Sequence, residues 1–340
     1  MNIAKEIAAV RVLVSGSSGF IGSALVPFLQ ERGHRVTRLV RRPAPVGEDE
    51  AVWDPRTGVL DRAAIEGHDA VVHLAGESIA SGRWTRRKKE SIRRSRVEGT
   101  RLLSETLARL ERPPEVLVAA SAVGYYGDRG SKALTEGSAP GDGFLAEVCR
   151  QWEAAAEPPS DHVVGPREDA TPGHAREETT QPMVPIRVVN LRIGVVLGAQ
   201  GGVLARMLPP FRFGLGGPVG SGDQYLSWIA LGDLLNVIHH AIATRALSGP
   251  VNAVAPNPVT NREFARTLGR VLKRPAFFRV PAFILRLLLG EMADELLLSS
   301  ARVHPAKLLA SDFAFRCPHL EGALRKALQR EEFKRHAANE

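Results

Sequence analysis

The chain of 340 residues carries near its start a glycine pattern that few folds can accommodate. Gly16, Gly19 and Gly22 stand at three-residue intervals. They lie directly after the apolar run Val10–Ser15 and at the head of the helical pattern Ile21–Arg32. Strand, glycine turn and helix in that order are the first half of a βαβ unit. The first glycine permits a tight turn, the second lets a diphosphate approach the backbone, and the third lets helix pack close to strand. Unpaired amides and partial positive charge at the helix N-terminus favour an anion there. Gly16, Ser17, Ser18, Gly19, Phe20, Ile21 and Gly22 are therefore expected to cradle a dinucleotide.

The rest of the first half repeats this rhythm. Strand patterns at Arg35–Val40, Ala51–Trp53, "DAVVHLAG" from Asp69 and "EVLVAAS" from Glu115 alternate with helical patterns, notably Ser91–Leu110 and Leu145–Ala156. A further buried strand begins at Ile186 and a helical pattern at Leu231. Such alternation predicts an α/β fold, a Rossmann-type doubly wound parallel sheet. Residues 10–250 are expected to form the nucleotide-binding domain, interrupted at about 157–185 by a polar stretch without apolar periodicity, read as a long loop. Residues 255–330 are expected to form a small, mostly helical C-terminal lobe on the substrate side.

The end of the second strand selects the cofactor. An acid there would accept hydrogen bonds from an adenosine ribose. This chain instead has Val40, Arg41 and Arg42. A guanidinium pairs with phosphate through two parallel bonds, so NADP is expected over NAD, with Arg41 as the main contact.

A net charge of +8 raises the question of nucleic acid. The densest basic stretch, Arg83–Arg96, is broken by Trp84, Glu90 and Ile92 and reads as a solvated helix face, so no nucleic-acid partner is expected. The apolar segment "PAFILRLLLGEMADELLL" contains Arg286, Glu291, Asp294 and Glu295, too many charges for a span of about 20 apolar residues, and no membrane partner is expected. Cys149 and Cys317 are too few and too far apart for a disulfide framework or a zinc site. No metal, a cytoplasmic location and a monomer or homodimer are the expectations.

The ordered motifs "DAVVHLAGESI", "SRVEGT", "SAVGYYG", "FLAEVCRQWE", "LRIGVVLGAQGG", "GSGDQYLSWI" and "NREFARTLGRVLKRPAF" resemble the extended short-chain dehydrogenase/reductase superfamily, of the sugar-nucleotide epimerase and dehydratase type. They are most similar to an atypical epimerase-family branch that ends in a domain of unknown function. The resemblance implies a catalytic Tyr-x-x-x-Lys pair, but its positions fall at Leu145 and Cys149, which cannot supply a proton donor and an ammonium. Ser121, Tyr125 and Tyr126 are the candidate substitutes, with Ala122 an alternative alignment for the serine. The resemblance also places Leu74, Ala75 and Gly76 beneath the ribose, Arg96 close under the cofactor where an asparagine is usual, and Val196 against the carboxamide. His73 reads as a satisfied core residue.

Open α/β sheets bind ligands outside the carboxyl ends of their strands. Glu77, Trp84, Lys89, Arg192, Gln224 and Trp228 are candidates to line a small-molecule pocket there that accepts an anionic or polar group. Two functions follow: an NADP-dependent oxidoreductase or epimerase-like enzyme with a replaced proton donor, or a catalytically inactive NADP-sensing protein.

Overall fold

A computed structural model describes residues 9–41, 49–158 and 185–337. Its strands are β1 (Arg11–Ser15), β2 (Arg35–Val40), β3 (Glu50–Asp54), β4 (Val59–Leu60), β5 (Ala70–His73), β6 (Val116–Ala122), β7 (Ala133–Leu134), β8 (Arg187–Ile193), β9 (Val195–Leu197), β10 (Tyr225–Leu226), β11 (Trp228–Ala230), β12 (Gly249–Ala253), β13 (Val259–Thr260) and β14 (Arg302–Val303). Its helices are α1 (Gly22–Gln30), α2 (Arg62–Ile65), α3 (Arg86–Ala108), α4 (Phe144–Ala156), α5 (Gly202–Arg212), α6 (Leu231–Ala243), α7 (Asn261–Leu272), α8 (Ala282–Leu289), α9 (Glu291–Ala293), α10 (Ala306–Ala310) and α11 (Leu320–Ala337).

Eight strands form the main sheet in the order β12-β8-β6-β5-β1-β2-β3-β4, and only the β3–β4 pair is antiparallel. This is a Rossmann-type α/β sheet. Val12, Leu13 and Val14 in β1 are wholly buried, as a strand covered on both faces must be. Their alternation sends Val12 and Val14 toward α1 and α6, and Leu13 toward α3. The chain leaves β1 in one direction for β2 and β3, and returns on its other side through β5. The gap between the carboxyl ends of β1 and β5 is the switch point where such sheets bind ligands.

Several elements have no counterpart in the sequence reading. Gly249–Ala253 forms an edge strand of the main sheet, where the missing N–H of Pro250 is tolerated. Helix α5 continues through Pro209 and Pro210.

The C-terminal segment packs α7 and α11 against α5 through Phe264, Leu268, Leu324 and Leu208. It also reaches the head of α4. The Glu295 carboxylate accepts the Phe144 and Leu145 amides at 2.9 and 3.2 Å, capping α4 where no local side chain does so.

Candidate functional site

The glycine turn lies at the head of α1. Gly16 has φ +69°, and a β-carbon on it would meet the Leu74 carbonyl carbon and the Ala75 nitrogen at 2.8 Å. Only glycine fits under the Leu74–Ala75 backbone there. A β-carbon on Gly22 would overlap Gly16 O, so α1 packs flush on the turn. Gly19 differs: its β-carbon would meet only Gly16 O, at 3.2 Å, and otherwise faces open space. Ser18 and Gly19 are exposed, and Ser17 and Ile21 half-buried. The Phe20 ring sits among Gly198, Gly201 and Gly202, where any β-carbon would come within about 3 Å of it. Arg41 is exposed at the end of β2; Asp54 is held below the usual carboxylate range mainly by the Arg56 amide, with Arg41 adding a minor share. Arg42 lies outside the described residues.

Leu74–Glu77 runs on from β5 as a strap. The Leu74 amide donates to Ser15 Oγ at 3.2 Å. The Arg96 guanidinium lies 3.4 Å from the position of a Gly76 β-carbon, donates to Glu77 O at 2.9 Å and covers Trp152 at 5.0 Å. His73 is wholly buried, 2.6 Å from Ser15 Oγ and 3.0 Å from Thr100 Oγ1, and burial pulls its pKa down to about 4. It is a neutral core residue in the structure, as the sequence suggested.

Helix α4 passes beside the strap with Leu145 and Cys149 both buried. Burial, reinforced by Glu153, pushes the Cys149 thiol up to about 12, so it is not ionised near neutrality.

One turn beyond Cys149, Glu153 organises a buried network that alters several sequence expectations. Arg192 Nε and Nη2 donate to its two carboxylate oxygens, both at 2.8 Å. Ser121 Oγ donates to Glu153 Oε1 at 2.7 Å. Arg192 Nη1 donates to the Tyr126 hydroxyl at 2.9 Å, and that hydroxyl donates to Asn252 Oδ1 at 2.7 Å. Burial opposes the charge on Arg192, but its bonds to Glu153 outweigh this and hold it above the ordinary arginine range. Tyr126 is wholly buried, and its pKa is raised by burial above all. Its hydroxyl is committed to Asn252 and Arg192 instead of being free for the proton-donor role expected of it, and Arg192, expected to line a pocket, is likewise committed to interior partners. Ser121 is present at the end of β6, but its hydroxyl is directed to Glu153. Tyr125 is half-buried, and its ring covers the Arg192 guanidinium at 3.4 Å.

Two further expectations are corrected. Trp228 is wholly buried and donates to Asn257 O at 3.0 Å. Gln224 is buried and donates to Val219 O and Leu297 O, both at 3.0 Å. Both side chains stitch loops together through backbone carbonyls. Val196 lies half-buried in β9. Glu77 pairs with Lys88, and its amide donates to Ser95 Oγ at 3.0 Å.

Trp84 and Lys89 do come together, in a hollow of about 410 Å³ that also contains Arg93, Phe144 and Glu291. The Trp84 and Phe144 rings meet edge to face at 5.2 Å, and the Lys89 ammonium lies 4.7 Å from the Phe144 centroid while pairing with Glu291 at 2.8 Å. Arg93 Nε is buried there without a hydrogen-bond partner. A larger cavity of about 1230 Å³ lies behind the glycine turn, between α1, α6 and α11, and touches the turn only at Ser18–Phe20. Among the described residues no group of three acids, histidines or cysteines is placed to hold a metal.

Residues 12–142 match the NAD dependent epimerase/dehydratase family, and residues 280–327 match a domain of unknown function, DUF1731. The chain is 42% identical over 304 residues to the epimerase family protein Mb2239 of Mycobacterium bovis, covering 89% of this chain and 93% of that protein. It belongs to the NAD-dependent epimerase/dehydratase family. Within that family it is 37% identical over 320 residues to the human epimerase family protein SDR39U1, covering 93% of this chain and 99% of that protein. A crystal structure of human SDR39U1 (isoform 2) with NADPH superposes with a TM-score of 0.80 at 36% identity, over 94% of this chain and 99% of that chain.

Sequence reasoning missed Glu153, Arg93, Phe144 and Glu295. One signal was available for Glu153: an acid on α4 between the apolar positions Trp152 and Ala156, and an arginine inside the apolar run of β8. Opposite charges inside otherwise apolar elements suggest a buried pair.

Proposed function

We propose that the chain binds NADP(H) in the glycine turn and acts as an oxidoreductase or epimerase-like enzyme on a small polar or anionic molecule. The observation that carries this reading is the open space at Gly19 facing an otherwise close-packed turn, with an exposed Arg41 and no acid in β2 after Arg35. The residues fit the cofactor. The amides of the turn would hold the diphosphate, Arg41 the adenosine 2′-phosphate, and Leu74–Gly76 with Arg96 the sugar side. The human relative's structure with NADPH supports the same choice.

A bound nicotinamide nucleotide would supply hydride exchange. The chain's own residues must move the proton. Leu145 and Cys149 cannot, and Tyr126 is buried with a committed hydroxyl. That leaves Tyr125, whose ring stacks on Arg192 and whose side chain is half-buried. Tyr125 holds the proton at its hydroxyl oxygen in this reading, with Ser121 and Glu153 fixing the floor beneath it. Trp84, Phe144 and Lys89 would bind the substrate's polar end.

Calorimetric titration with NADPH and NADH, followed by a carbonyl and sugar-nucleotide screen read by absorbance of the reduced nicotinamide, tests the proposal. NADPH binding with turnover that Tyr125→Phe abolishes supports it; no heat with either nucleotide refutes it. The packed Leu145 and Cys149, neither charged near neutrality, favour a second reading, an NADP-sensing protein. Tight NADPH binding with no turnover across the screen would select it.

A further inference from the structure

The C-terminal half turns an unusual set of large apolar side chains toward water. Phe213 is 81% exposed after α5, Phe277 is 69% exposed, and Phe283 and Leu287 on α8 are 68% and 72% exposed. Leu215, Phe278 and Leu288 are exposed beside them. Helix α8 is inside out: Leu285 is its one buried residue. The segments adjoin. The Phe278 amide donates to Gly216 O at 3.1 Å, the Val280 amide to Pro218 O at 3.0 Å, and α8 starts two residues later. None of these side chains lines either cavity, so they form projecting knobs, not a groove. A soluble chain rarely leaves such a patch without a use.

The segments that carry the patch are themselves basic. Residues 201–222 contain Arg206 and Arg212 and no acid. Residues 264–290 contain Arg266, Arg270, Lys273, Arg274, Arg279 and Arg286 and again no acid. Arg270 and Arg286 pair with Glu321 and Asp294 from elsewhere. Lys273 and Arg274, next to the two phenylalanines, are exposed and have no ion-pair partner among the described residues. Projecting aromatics beside unpaired cations are what an anionic lipid interface accepts: the rings enter the headgroup boundary and the cations meet the phosphates. A second copy on the same face would set these cations against their own duplicates.

We propose that this face docks the protein reversibly on an anionic lipid surface. The absence of a membrane-crossing helix among the described residues is compatible with this, since the contact is peripheral.

The full chain is to be sedimented with vesicles of phosphatidylcholine alone and of phosphatidylcholine containing phosphatidylglycerol. Binding is expected to the anionic vesicles only, weakening as salt rises. A Phe213→Ser/Phe277→Ser/Leu287→Ser variant and, separately, a Lys273→Glu/Arg274→Glu variant should each bind at least roughly tenfold more weakly with an unchanged circular dichroism melt. No binding, equal binding to neutral vesicles, or full binding by the Lys273→Glu/Arg274→Glu variant would overturn the proposal. So would a dimer in sedimentation velocity that the apolar variant abolishes without any lipid binding, or an acidic protein partner retained by the face in place of lipid.

Discussion

Arg192 and Glu153 meet through two hydrogen bonds of 2.8 Å in the interior, joining the end of β8 to α4. The pair contacts Ser121, Tyr125 and Tyr126, and under the proposed function it would form the floor of the site. Removing one member of a buried pair strands the other without its counter-charge, at a cost of about 3–5 kcal/mol. Glu153→Ala should therefore lower unfolding stability by about that amount in urea titration. Glu153→Gln should lose less, because an amide oxygen still accepts from Arg192 and Ser121. A loss below about 1 kcal/mol for Glu153→Ala would show that water or another acid replaces the carboxylate.

Gly22 and Gly19 separate folding from binding. A methyl group on Gly22 would overlap the Gly16 carbonyl, which is backbone and cannot rotate away. Gly22→Ala should reduce both the melting temperature and cofactor affinity. Gly19→Ala has only a tight 3.2 Å contact to relieve. It should melt within a few degrees of wild type, yet bind either pyridine nucleotide at least about tenfold more weakly, because its methyl occupies the space a diphosphate would need. Wild-type affinity in Gly19→Ala would place the diphosphate elsewhere.

Arg41 tests the cofactor preference. A charge-assisted hydrogen bond contributes about 1.5–3 kcal/mol, so Arg41→Ala should raise the Kd for NADPH by roughly tenfold or more and leave that for NADH nearly unchanged. Isothermal titration of both nucleotides measures the two changes together. Equal losses would remove Arg41 from any phosphate-reading role.

The glycine turn was legible in the sequence because its requirement is local: tight turn, close approach and helix packing act within seven residues. The sheet was legible for the same reason, since buried parallel strands appear as continuous apolar runs. Side-chain direction was not legible. Arg192, Tyr126, Gln224 and Trp228 stand in the right loops and strands for a pocket, yet each faces a partner 29 to 126 residues away. No short window of sequence reveals a partner at that distance. Trp84, just before the Thr85 cap of α3, and Lys89, in its first turn, share a hollow because both reach the Phe144 ring at the head of α4.

His73 provides a pH test of the same interior. Its ring is wholly buried between Ser15 and Thr100, and desolvation holds its pKa near 4, against an unfolded value of 6.5. Above pH ~6.5 both states are neutral and the full stabilisation is present. As pH falls from ~6.5 to ~4 the unfolded chain takes up a proton that the folded chain refuses, so stability drops; below ~4 both forms are protonated and the loss levels off. A shift of this size corresponds to about 3 kcal/mol over the whole window. Other groups titrate in the same range, so the comparison is between wild type and His73→Gln. Urea unfolding at several pH values from neutral downward should show a smaller acid loss in the variant. An NMR titration that finds the His73 imidazole charged in the folded protein at pH ~5.5 would contradict the burial argument, because a cation there has only two neutral hydroxyls to offset its desolvation.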